Sequence, residues 1–327
     1  MRAFFGTVGP DQARPVDLVY GLTEGNPFFV EEVLKGWVVG GQVRRTASAW
    51  RWWPGVDFRL PPSIQDLVRL RLGRLGPQAR ALLTAAVMGR HAELKALGDL
   101  TGLPEPRVRR WLARLTAAQA VVETSTGRFA FRHPIIREAV YEGLDGSERR
   151  RLHRRVAGVL ERAGAAESAL ADLSYHYFAA GAWAEALEYG RRAGEQARAL
   201  YAPHEAVEHF GRAIEAAGHL GCPVPVCARL FRARGQAGEL AGYLDAAGRD
   251  YAEGVRLGRA AGDRVGEWEG LVDLGLLWAS RDYVKAGRHF DEALGLARAL
   301  GEPALLGHSL NRVGNLEANV GDPARAI

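Results

Sequence analysis

Residues 247–262, AGRDYAEGVRLGRAAG, return as residues 286–301, AGRHFDEALGLARALG, at an offset of 286 − 247 = 39 positions. Ala247, Gly248 and Arg249 match Ala286, Gly287 and Arg288, and Leu257, Arg259, Ala260 and Gly262 match Leu296, Arg298, Ala299 and Gly301. The segment after each copy repeats too, with Leu271, Gly275 and Ala279 matching Leu310, Gly314 and Ala318. A fixed period of this size marks stacked helix pairs, because one pair cannot bury its apolar face alone and does so against its neighbours. The recurring small residues let those helices approach closely. Residues 168–327 are therefore read as tetratricopeptide-like helical repeats, somewhat longer than the usual ~34 residues. The last copy, GDPARAI, stops at Ile327 before its second helix has the turns to bury a face, so the array reads as truncated at its C-terminus.

Working back from the repeats, an Arg-rich helix from Ser147 to about Arg162 forms a linker over 147–167. Residues 61–146 open on Pro61-Pro62, with Ser63 as N-cap and Asp66 three positions on as a weakened capping box. Ile64, Leu67, Val68, Leu72 and Leu75 make one helical stripe, Gly76-Pro77 breaks it, and Leu82, Leu83, Ala86 and Val87 make the next. Two more helices follow, from about Glu93 to Thr101 and from about Glu105 to Ala117, the latter turning Val108, Trp111, Leu112 and Leu115 inward. The period then changes to two, with VVET, a Ser125-Thr126-Gly127 turn and RFAF, which is a hairpin signal. Three helices and a hairpin are in winged-helix order, and a further helix runs from about Pro134 to Tyr141.

Residues 1–60 contain the turn TEGNP and a helix carrying Phe28, Phe29, Val33, Leu34 and Trp37 at helical spacing. After Gly40-Gly41, QVRRT and AWRWW predict a short hairpin around Ala47-Ser48, with Trp50 and Trp52 on one face. The predicted fold is thus mainly α: a helical segment with a hairpin, a winged-helix-like domain with a small β-hairpin, a linker helix and an α-solenoid.

With 47% hydrophobic and 25% charged residues over 327 positions, the chain can bury modular cores and is not disordered by composition. The net charge of +5 comes almost wholly from arginine, since Lys35, Lys95 and Lys285 are the only lysines, and it is interleaved with acids along helix faces. This pattern suits solvated helices better than a nucleic-acid tail. Cys222 and Cys227 are too few for a disulfide framework, and no apolar run reaches the ~18–20 residues of a membrane span, so a cytoplasmic protein is expected.

Catalytic chemistry is sparse. None of the three lysines follows a glycine, which excludes a phosphate-binding Gly-Lys-Ser/Thr loop from this sequence. His204 and His209 stand five apart, about 140° around a helix at 3.6 residues per turn, so they do not share a metal-binding face. Cys222, Cys227 and His219 form a looser set, but Pro223 and Pro225 make this segment read as an inter-repeat loop. Metal and catalytic residues are therefore expected to be absent. Arg107, Arg109, Arg110 and Arg114 occupy the place of a recognition helix, and Arg128 and Arg132 lie on the wing, which keeps a DNA-binding reading open as a rival.

TEGNPFFVEE at residues 23–32 resembles a segment near the end of the nucleotide-binding module of signal-transduction ATPases with numerous domains. That group includes the MalT-like regulators and the ATPase modules attached to some adenylate cyclases. LPPSIQDLVRLRLGRL, AAQAVVETSTGRFAFRHPIIREAVYEGL and ERRRLHRRVAGVLE resemble that family's winged helix and following helix, and the repeats resemble its sensor arm. The likeness covers almost the whole chain but lacks the Walker A and B core. It implies that residues 1–60 are a lid remnant, that Gly25, Asn26 and Pro27 form a turn packed against adenine, and that His133 senses the β-phosphate of ADP. It implies ATP or ADP for the full-length family and no cofactor or catalysis in this chain. The repeats are then expected to bind a protein, a peptide or a small inducer, with an ATPase core in cis. A stand-alone repeat scaffold is the alternative from another class.

Overall fold

The computed structural model describes residues 13–23, 25–39, 43–45, 50–52, 76, 78–89, 91–118, 120–162, 169–221 and 223–320. The chain divides into two compact units, Met1–Val159 and Leu160–Ile327.

The first unit contains α1 (Ala13–Thr23), α2 (Pro27–Val39), β1 (Val43–Arg45), β2 (Trp50–Trp52), α3 (Gln78–Met88), β3 (His91–Glu93), α4 (Leu94–Thr101), α5 (Glu105–Ala117), β4 (Val121–Ser125), β5 (Arg128–Phe131), α6 (Pro134–Glu142) and α7 (Gly146–Arg162), whose last turn crosses the division. Strands β1 and β2 pair antiparallel, with Val43 opposite Trp52 and Arg45 opposite Trp50, as the QVRRT and AWRWW segments predict. The helix expected over 64–75 and its cap at Ser63 lie outside the described residues.

Val33 and Trp37 of α2 share one core with Ala86, Leu97, Leu115 and Ile135, so a boundary at Pro61 does not separate two cores. Helix α5 follows Pro104 and buries Val108, Leu112 and Leu115, one stripe of a 3.6-residue period. Trp111 departs from the predicted inward set and is only half-buried. The turn between β4 and β5 uses Gly127 at φ 76, where a side chain would be strained, and Glu123 accepts its N–H at 2.8 Å.

The predicted hairpin is one part of a three-stranded antiparallel sheet of order β3-β5-β4. The helix expected from about Glu93 runs from Leu94 to Thr101, and the strand β3 that leads into it is not predicted by the sequence reading. The strand's backbone is held by pairing to β5 from His91 to Glu93, and Leu94 N–H donates to Gly127 O at 2.8 Å. These partners lie more than thirty positions away, beyond any local periodicity.

The second unit is an α-solenoid of tetratricopeptide-like helix pairs: α8 (Leu170–Ala179), α9 (Trp183–Ala199), α10 (Pro203–Leu220), α11 (Val224–Leu240), α12 (Leu244–Ala261), α13 (Arg264–Trp278), α14 (Tyr283–Leu300) and α15 (Pro303–Val320). Each consecutive pair packs together. The repeat extends further back than the 39-residue match. Ala247, Tyr251, Gly254 and Gly258 on α12 correspond to Ala286, Phe290, Ala293 and Ala297 on α14 and to Ala206, Phe210, Ala213 and Ala217 on α10, all buried at i, i+4, i+7 and i+11. That spacing places four small or flat groups along one helix face.

Opposite each aromatic stands a glycine of the preceding helix. A Cβ at Gly194 would lie 2.7 Å from the Phe210 ring, one at Gly235 would lie 2.6 Å from Tyr251, and one at Gly275 would meet Phe290 closer still. Three successive helix pairs therefore close by the same device, a ring laid on bare backbone. Polar ties cross between helices as well: Arg234 holds Asp250 with two bonds of 2.8 and 2.7 Å, and Trp268 Nε1 donates to Ser309 Oγ at 2.8 Å.

Helices α10, α12 and α14 end in left-handed glycines, Gly221, Gly262 and Gly301. Just past the end of α9, the left-handed position is occupied by Tyr201 at φ 56, with its side chain 91% exposed. A β-carbon in that conformation is sterically opposed, and this exposed ring loses little packing on removal. Tyr201→Gly is expected to raise the thermal midpoint, with a gain of about 0.5–1 kcal/mol. A lower midpoint would contradict this backbone geometry.

Candidate functional site

The turn read at Gly25, Asn26 and Pro27 joins α1 to α2. Thr23 closes α1 by donating its hydroxyl to Val19 O at 2.7 Å, and its Oγ1 accepts Gly25 N–H at 3.3 Å. Gly25 takes φ 77, a left-handed value that favours glycine. Asn26 O then accepts Val30 N–H at 2.9 Å, starting α2, and Pro27 is its exposed first residue, where a missing N–H costs nothing.

His133 is the N-cap residue of α6, extended at φ −134 and ψ 137, and its side chain makes no capping bond. Its carbonyl accepts Ile136 N–H at 3.0 Å, and its ring meets Phe29 of α2 edge-on at 5.8 Å between centroids. The fold thus brings the start of α2 to the start of α6. An exposed proline at the start of one helix and an imidazole at the N-terminus of the other are groups that a flat ligand carrying negative charge would meet there. Phe29, which joins the two, lies inside TEGNPFF, but no spacing rule in the sequence identifies its partner.

Arg107, Arg109, Arg110 and Arg114 are all exposed on α5, and Arg128 and Arg132 are exposed at the hairpin. Arg109 pairs with Glu105 at 3.0 Å, the i,i+4 contact of a solvated helix.

In the second unit, polar side chains link the first helices of neighbouring pairs. Arg232 of α11 donates to Asp273 at 2.5 Å and to Glu269 at 2.6 Å, both on α13. Single-sequence reasoning could not name these residues, because the contact depends on how successive pairs stack.

The metal candidates disperse. His204 Nδ1 lies 3.0 Å from Tyr243 Oη, His209 Nδ1 lies 3.4 Å from Ser174 Oγ, and His219 stacks on Trp183 at 3.9 Å. Cys227 lies within α11, not in the loop expected there, because Pro225 is accommodated in a first helical turn whose N–H groups need no partner. Cys222 lies outside the described residues. Among those described, no group of three or more His, Cys, Asp or Glu side chains could hold a metal ion. Likewise, no described helix is long and apolar enough to cross a membrane.

The fold defines a helical-repeat protein in which the solenoid follows a smaller helix-and-strand unit along the chain. No protein-family model matches the sequence, and no curated protein matches it. Among solved structures, BtubC (BKLC) from P. vanneervenii is similar over 54% of this chain and 74% of that one, at 16% identity and TM-score 0.40. A signal transduction ATPase with numerous domains (STAND) protein with a tetratricopeptide repeat sensor, from Pyrococcus horikoshii, is similar over 96% of this chain and 55% of that one, at 13% identity and TM-score 0.40. The present chain thus spans about half the length of that ATPase. A Rap protein complexed with competence and sporulation factor is similar over 80% of this chain and 95% of that one, at 13% identity and TM-score 0.30. These likenesses assign no ligand or activity to this chain.

Proposed function

We propose that this chain is the regulatory part of a signal-transduction ATPase, comprising a lid remnant, a winged-helix-like domain and a repeat arm that binds a protein, a peptide or a small inducer. The chain itself performs no catalysis, and the segment 147–163 carries the effect of arm binding to the winged-helix-like domain. The observation that supports this reading best is the contact between Phe29, two residues beyond the Gly25–Pro27 turn, and His133. Two motifs that share a family resemblance, yet lie far apart in sequence, meet at one place. There Pro27 offers a face for adenine, and the His133 ring at the start of α6 offers a donor for phosphate.

Calorimetric titration with ADP tests this reading. Binding in the millimolar range or tighter is expected, and His133→Ala should abolish it while leaving the helical circular dichroism unchanged. Silence at millimolar ADP removes the nucleotide role. ATP turnover by this chain should stay at background, and turnover above it overturns the non-catalytic assignment. An in-frame Gly-x-x-x-x-Gly-Lys-Ser/Thr upstream in the native coding region is the expected companion. A promoter abutting Met1 would instead favour a free-standing scaffold.

A further inference from the structure

A cavity of about 490 Å³ lies in the first unit among α3, α4, α5 and α7, and it shares no residue with the Gly25–Pro27 turn or His133. Its wall is mixed: Leu100, Leu103, Leu152 and the half-buried Trp111 give it an apolar side, and the hydroxyl residues Thr84 and Thr101 stand among them. The departure of Trp111 from the predicted core is explained by this position, since its ring borders the cavity as well as α5. On the α7 side stand Glu148, Arg151 and Arg155, at i, i+3 and i+7, which is one face of a helix. Arg151 reaches Glu148 only at 3.8 Å, and a Cβ on Gly102 would lie 3.8 Å from a terminal nitrogen of Arg155. The two guanidinium groups outnumber the single carboxylate, so the rim carries net positive charge.

Two arginines on a helix face are ordinarily just solvated. Here they border a hollow with an apolar side, within the ~300–1,000 Å³ range of small-molecule sites, which pairs an apolar surface with polar anchors as such sites do. We propose that this cavity binds a small amphipathic anion. Its aromatic or branched apolar body lies against Trp111 and the leucines, and its carboxylate, sulfonate or phosphate head lies on Arg151 and Arg155. A planar guanidinium presents forked donors that match such heads, and it stays charged at every working pH. An occupant held this way ties α7 to α3, α4 and α5.

The test uses two probes with the same ring and opposite charge, naphthalene-1-sulfonate and naphthalen-1-ylmethylammonium, titrated calorimetrically into the full chain. The sulfonate is expected to bind at one site, at least about tenfold tighter than the ammonium. Both arginines are exposed, so R151E/R155E should fold, which circular dichroism checks, and it should remove or reverse that preference. Leu103→Trp, which fills the cavity, should weaken both probes; if that variant fails to fold, the charge-reversal arm decides alone. Equal affinity for the two probes, sulfonate binding that survives R151E/R155E, or no binding at millimolar sulfonate would each overturn the proposal. His133→Ala should leave the result unchanged, which separates this site from the nucleotide reading.

Discussion

Gly235→Ala is expected to lower the unfolding free energy of the repeat unit by about 1–3 kcal/mol, and adding Tyr251→Leu should recover much of that loss. The Tyr251 ring lies where the new methyl must go, 2.6 Å from the built Cβ, and it is 1% exposed with its hydroxyl donating to Glu239 at 2.9 Å. Burial first, and the Glu239 carboxylate second, push that hydroxyl's pKa upward, so the bond stays intact across the working range. The ring therefore cannot swing aside without giving up its part-buried hydrogen bond, and the helices must separate instead. Leucine removes the flat ring and leaves space for the methyl, at the cost of that hydrogen bond. Urea unfolding followed by far-ultraviolet circular dichroism measures both variants. A neutral Gly235→Ala would mean that α11 and α12 do not approach as closely as described. Gly194→Ala and Gly275→Ala should behave alike, because each sets a methyl against a ring, whereas Gly190→Ala meets the Ala213 Cβ at 3.1 Å and should be milder.

Acid should weaken the first unit through one imidazole. His153 is fully buried on α7 and lies 2.9 Å from Tyr141 Oη. Burial, with Arg149 adding to it, pushes its pKa down from 6.5 to about 4. Between those values the unfolded chain binds a proton that the folded chain refuses, so stability falls as pH drops from about 6.5 toward 4. The loss accumulates to about 3 kcal/mol, since each tenfold difference in proton affinity is worth ~1.36 kcal/mol. His209 and His289 are also pushed down by burial and add to the acid loss in the second unit. His153→Gln offers Tyr141 a neutral partner and should flatten the pH dependence of the first unit's unfolding above pH 4.5, where carboxylates contribute least. A slope unchanged by this substitution would place the acid sensitivity elsewhere.

The sequence by itself determined the helical class, the solenoid and the hairpin of β4 and β5. Those features rest on short-range rules: a helix face recurs every three or four residues, a strand face every two, and a glycine between or at the end of elements, such as Gly127 or Gly262, marks a left-handed turn. The 39-residue repeat was visible because stacking demands small residues at fixed places on every copy. Only the tertiary structure decided what faces those small residues. Gly275 reads as a generic close-packing position until Phe290 is seen lying on it, because the contact depends on the angle between two helices. The same holds for β3, whose pairing partners are distant in sequence, and for Phe29 beside His133. It holds again for the cavity at Trp111, which the helical period places inward although the space beside it stays open. Periodicity fixes which side of an element is apolar; the rigid-body packing of elements fixes what that side meets, and no single stretch of sequence encodes that meeting.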